Sequence, residues 1–196
     1  MKLLYGEQEL KLKEGAVKSK DGNFTFHKIK FYLATSNQHQ GGHSDSYQFF
    51  LIDAADEESC FLTLPMELQE RKDVRLALGI DSIIQYAGVQ GGVLDPRKGM
   101  YWAWNSGYIF FKLEADYHSE KLEQLGRWHL GGFRSPYIAQ SVVQLKPIMS
   151  GSILVLDLKP FLEYCVSHSI YEVMSPGPIA VELTQLLSTL FQCRPN

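Results

Sequence analysis

Six histidines are the side chains of this 196-residue chain best suited to chemistry near neutral pH: His27, His39, His43, His118, His129 and His168. An imidazole titrates in that range and is a common metal ligand. His39 and His43 lie four apart in the polar, glycine-rich stretch 36–45. In a loop that spacing suits a solvated pair as well as a shared ion. His27 is different, because Thr25, His27, Ile29, Phe31 and Leu33 would share one face of an extended strand. An imidazole directed toward a core needs a hydrogen bond or a metal. His129 stands in Trp128-His129-Leu130-Gly131-Gly132, where two glycines let a backbone or a ligand approach closely. Met100, Trp102 and Trp104 share a face if their segment is extended. They then either fill a core or form a soft, oxidisable site, with thioether or modified indole beside imidazole, as suits Cu(I).

Other arrangements are excluded or bland. No G-x-S-x-G, P-loop, G-x-G-x-x-G or H-E-x-x-H occurs, so matched sets for hydrolysis, phosphate binding or zinc-protease chemistry are missing. Asp53, Asp56, Glu57 and Glu58 lack the alternating spacing of a calcium loop and read as a solvated connection. Asp81 and Asp95 flank a glycine-rich run, and Asp95-Pro96 starts a turn unaided. The three cysteines, Cys60, Cys165 and Cys193, form no C-x-x-C and read as buried free thiols, with one disulfide as the alternative. Nineteen basic against 22 acidic residues give a net charge of −3, with no basic block to neutralise a nucleic acid. No apolar run approaches the roughly 18 residues of a membrane helix. The amino terminus starts like an export signal, but Glu7, Glu9 and Lys11 interrupt it, so none is expected in the chain as it stands.

The elements that must position these residues are mostly strands. Lys20 to Asn23 is a turn, and Val74, Leu76, Leu78 and Ile80 alternate with smaller or polar residues. Residues 88–99 hold four glycines and a proline and must be irregular. They lead to Tyr108–Leu113, apolar on both faces as in a central strand covered on two sides. Further strands are expected at 47–52, 128–134, 141–146 and 152–158. A short helix is expected at 160–166. Ser175 as cap and Pro176 in the first turn would open a helix over 178–191, where Ile179, Leu183, Leu186, Leu187 and Leu190 follow a 3.6 period. The prediction is a single mainly β domain over residues 1–196, an antiparallel β-sandwich with a C-terminal α-helix.

The run from Gly91 to Tyr108, with its G-M-Y-W-x-W-x-S-G-Y core at Gly99–Tyr108, resembles the signature of the MbnP-like family, named for a periplasmic protein of methanobactin operons. His27–Leu33, Leu78–Asp81, His129–Gly132 and Pro178–Phe191 resemble further segments of that family. The resemblance implies a periplasmic or extracellular β-sandwich; the amino-terminal reading keeps the cytoplasm open. In some members it implies copper bound by histidines, with a tryptophan oxidised to kynurenine by a di-haem peroxidase-like partner. His129 matches the late histidine motif, and Trp102 and Trp104 match the tryptophan pair. No Trp-x-His occurs here; Trp128-His129 is the nearest arrangement.

Two functions are therefore carried forward. One is a copper-binding protein without turnover, with His129, His27 and Met100 as metal ligands. The other is an interaction module that uses exposed aromatic residues on a protein or carbohydrate partner, with no metal. Catalysis lacks a matched nucleophile, base and orienting group.

Overall fold

Phe24 and Phe26 fall on even positions, and Ile29, Phe31 and Leu33 on odd ones, so a regular strand would bury only one set. The structure is a computed structural model that describes residues 1–37, 46–62, 74–105, 107–145 and 152–195. In it, a single strand over Asn23–Asn37 buries both sets. Its pairing slips between Phe26 and Lys28, and His27 is the extra residue of the resulting bulge.

In chain order the strands are β1 (Lys2–Tyr5), β2 (Gln8–Glu9), β3 (Val17–Lys18), β4 (Asn23–Asn37) and β5 (Ser46–Asp53). Next come β6 (Val74–Leu78), β7 (Tyr101–Trp102), β8 (Gly107–His118), β9 (Glu123–Gly131) and β10 (Phe133–Arg134). The last are β11 (Tyr137–Ile138), β12 (Ser141–Leu145), β13 (Ser152–Asp157), β14 (Glu172–Val173) and β15 (Phe191–Pro195). The helices are α1 (Ser82–Tyr86), α2 (Lys159–Ser167) and α3 (Pro178–Ser188). Among the described residues, the larger sheet runs β12-β6-β4-β8-β9-β14, with β3 and β5 also on β4 and β7 on β8. The smaller sheet runs β15-β13-β1-β2.

The main core lies between these sheets. Phe24, Phe26, Ile29, Phe31, Leu113 and Trp128 from the large sheet meet Leu3, Leu156 and Phe191 from the small one. Phe161 and Leu162 of α2 and Ala180, Leu183 and Leu187 of α3 close it. A second, smaller cluster covers the outer side of the large sheet, where Tyr32, Ile80, Leu94, Met100, Trp102, Tyr108 and Phe110 pack together.

The expected mainly β architecture with a carboxyl-terminal helix stands, with three corrections. Among the described residues two pairings, β1 with β13 and β14 with β9, are parallel. Helix α3 stops at Ser188, and Phe191 already belongs to a strand paired with Leu156. Its N-cap is Gly177 with Pro178 following, not Ser175 and Pro176. Residues 88–99 are irregular as expected, with two single 3₁₀ turns at Gly92–Leu94 and Pro96–Lys98. All three cysteines are free thiols, and Cys165 is buried in the main core.

The acidic residues have local work. Asp81 Oδ1 accepts from the N–H groups of Ile83 and Ile84 and caps α1. Asp95 caps the second 3₁₀ turn and grips the Arg97 guanidinium through both oxygens. Asp53 pairs with Lys30 at 2.7 Å, and Asp56 caps the turn Glu57–Cys60.

Candidate metal-binding face

Strand β8 is covered on both sides only for its first half. Tyr108 and Phe110 lie in the second cluster, while Phe111, Leu113, Ala115 and Tyr117 face the main core. Past Phe111 the second cluster ends, and the outer side of the strand carries Lys112, Glu114 and Asp116, all half-buried. At this border between apolar cover and solvent His129 and His27 each hydrogen-bond to a carboxylate of the outer row, from the two strands that flank β8.

His129 sits on β9 directly opposite Lys112. Its neighbours Trp128 and Leu130 face the main core, so alternation sends the imidazole to the outer side. It is 6% exposed. Its Nε2 lies 2.9 Å from Glu114 Oε1, and Lys28 Nζ donates to the other oxygen of Glu114 at 3.1 Å. His27 is turned to the same outer side. Its Nε2 lies 2.7 Å from Asp116 Oδ2, and the side chain is 35% exposed. The expectation that His27 points into the core among Ile29, Phe31 and Leu33 is thus corrected. The bulge shifts the strand's phase at residue 27, so Phe24 and Phe26 take the inward positions that regular alternation would give to Thr25 and His27. Neither ring's Nδ1 hydrogen-bonds to a described residue.

Burial pushes the His129 imidazole down to about 4, with the Lys112 ammonium adding to the effect against the pull of Glu114. Burial also raises the Glu114 carboxyl, but the bonds from Lys28 and His129 outweigh it and hold the group below its ordinary value. The pair at neutral pH is therefore a carboxylate and a neutral imidazole. Lys112 is pushed down by burial and by Lys28, and its Nζ donates to the Gly99 carbonyl at 2.7 Å.

That last bond ties the tryptophan segment to the same strand, together with the bond from Ile109 N to the Met100 carbonyl at 2.9 Å. The Met100 side chain, 1% exposed, lies in the second apolar cluster and not in the row of ionisable groups. Trp102 is 5% exposed in the same cluster. Strand β7 ends there, a turn closes from Asn105 N to the Trp102 carbonyl, and Trp104 is turned out to 67% exposure. The common face predicted for Met100, Trp102 and Trp104 therefore holds for the first two and fails for the third. The two indoles remain neighbours, with ring centroids 5.8 Å apart. The predicted close approach at the glycine pair is real: a β-carbon at Gly131 would lie 2.9 Å from Trp102 Cζ3.

The other two described histidines stand apart. His118 is 3.6 Å from Glu123 at the β8–β9 turn, and His168 Nδ1 lies 2.9 Å from the Tyr164 carbonyl beyond α2. His39 and His43 lie outside the described residues. Among the described residues no group of three or more His, Cys, Asp or Glu side chains is gathered for a metal ion. Glu114, Asp116, Lys28 and Lys112 were missed in the sequence. The signal was present, since Lys112, Glu114 and Asp116 alternate with Leu113, Ala115 and Tyr117 as a polar row on one strand face.

The depressed His129 value makes stability pH-dependent with a definite sign. An unfolded imidazole takes up its proton near pH 6.5, whereas the folded one resists to about 4. The His129 contribution is therefore intact above about pH 6.5 and is lost as pH falls toward 4, by about 2–3 kcal/mol over that window. Denaturant titrations across the window should show this slope in the natural chain and a flatter one in His129→Gln. Equal slopes would count against a neutral buried imidazole.

A family model described as MbnP matches residues 1–167 of the chain. No curated protein and no solved structure matches it. Among the described residues no helix is long and apolar enough to cross a membrane.

Proposed function

The chain belongs to the MbnP family, and from that premise we propose that it is an extracytoplasmic copper-binding protein that works without turnover. The observation that carries the reading is His129: a buried imidazole whose Nε2 is held by a carboxylate while no described residue hydrogen-bonds to Nδ1. Metal-ligating histidines commonly have their second nitrogen oriented in this way by a carboxylate. His129 would be the anchoring donor, and His27, oriented by Asp116 on the same face, the second. Imidazole suits copper, whereas a structural zinc site wants four ligands, more than the described residues gather. Met100 lends its apolar packing and its backbone to this border. Trp102, packed beside Gly131, is the buried candidate for oxidation to kynurenine, and Trp104 is the exposed one.

The test is Cu(I) competition titration of the natural chain against His129→Ala and His27→Ala, with intact mass read for tryptophan oxidation. His129→Ala should weaken binding at least about tenfold, and His27→Ala should weaken it less. Equal affinity in all three would overturn the ligand assignment, and no binding above background would overturn copper for this protein.

A second reading, an aromatic docking surface, draws on Trp104 at 67% and Tyr86 at 69% exposure. Tyr86 borders a cleft of about 280 Å³ with Ser82, Phe133, Ser135, Ile138 and Gln140. In this reading the partner is a protein or a carbohydrate and no metal is bound, whereas the di-haem peroxidase-like partner that the family resemblance implies belongs to the copper reading. No copper binding above background, together with loss of association with a protein or carbohydrate partner in Trp104→Ala, would favour it.

A further inference from the structure

We infer that Glu114 and Asp116 are positioning residues that fix His129 and His27 as the Nε2–H tautomer, which makes Nδ1 the atom each ring offers to a metal ion. The inference rests on the metal-binding reading for its consequence, but the tautomer itself is a property of the metal-free chain.

The two carboxylates occupy alternate positions of β8 and so project from the same side of the large sheet. Each reaches diagonally to a ring on a different neighbouring strand, Glu114 to His129 on β9 and Asp116 to His27 on β4. An ionised carboxylate only accepts hydrogen bonds, so the ring nitrogen facing it carries the proton. A neutral imidazole has one N–H, and with Nε2 protonated the lone pair sits on Nδ1. Glu114 is itself held from behind, since Lys28 Nζ takes Oε2 and leaves Oε1 for His129. Lys28 thus fixes the carboxylate that fixes the ring. The same arrangement occurs twice on one face, at two histidines that come from distant parts of the chain. Neither Nδ1 is occupied by a described residue.

The experiment is long-range proton–nitrogen NMR of uniformly ¹⁵N-labelled, metal-free protein at about pH 8, above the ordinary imidazole range. For both rings the expected result is a protonated Nε2 and an unprotonated Nδ1. In Glu114→Gln the replacement amide can donate or accept, so His129 should lose its single tautomer while His27 keeps it. Asp116→Asn should do the reverse. An Nδ1–H tautomer in the natural chain, or an unchanged His129 signature in E114Q, overturns the proposal, and the first of these needs no variant to fold. Addition of Ag(I), a redox-silent stand-in for Cu(I), should then move the His129 Nδ1 resonance with Nε2 still protonated. A shift at Nε2 overturns the assignment of the ligating atom. No shift at either nitrogen, with the tautomer intact, overturns the metal-binding reading and leaves the positioning role of Glu114 standing.

Discussion

Trp102→Ala is expected to lower the free energy of unfolding by about 3–5 kcal/mol, and Trp104→Ala to change it by less than about 0.5 kcal/mol. The two residues are separated by one alanine and their rings are in contact, so sequence proximity gives no reason for the difference. Burial does. Trp102 fills the second cluster against Met100, Tyr108 and the backbone of Gly131, and its removal leaves a cavity that β8 and β9 cannot close. Trp104 projects from the turn after β7 and leaves no hole. Chemical denaturation of both variants checks this directly. Similar losses for the two would mean that the turn at 103–105 does not separate them.

Gly131→Ala should cost about 1–3 kcal/mol and act on the same region from the other side. Its β-carbon would stand 2.7 Å from the Tyr108 carbonyl oxygen and 2.9 Å from Trp102 Cζ3, and the nearer of these is backbone that cannot swing away. Gly91→Ala is the control. Gly91 has φ −95° and open space around its β-position, so the substitution should be neutral or slightly stabilising. A neutral Gly131→Ala, read from thermal or denaturant midpoints, would show that the indole does not press on β9 as described.

Much of this was legible in the residues, and the failures have specific causes. The alternation Val74–Leu78 and the doubly apolar start of β8 gave correct strands because burial and period agree there. At residues 24–33 the periods of two apolar sets conflict, and the phase that turns His27 inward would leave Phe24 and Phe26 on the outer side. A strand with two out-of-phase apolar sets must slip between them, so the bulge was deducible and the orientation of His27 with it. The chain's turn after Trp102 was not deducible, because Tyr101 to Trp104 is aromatic enough to continue as a strand. The glycines and the motif mark His129 in the sequence. Its partner Glu114 comes from a strand whose register with β9 only the fold supplies.

The extra residue in β4 also separates two burdens that most positions carry together. Position 27 must exist, because without it Phe24 and Phe26 would swap sides with Thr25 and the main core would lose its far end. Its side chain, however, contributes nothing to that core. Packing therefore requires that a residue stand at position 27 but does not dictate which one. A histidine placed there can be exchanged or tuned without any test by the packing beneath it, which makes the bulge an adjustable address on the sheet.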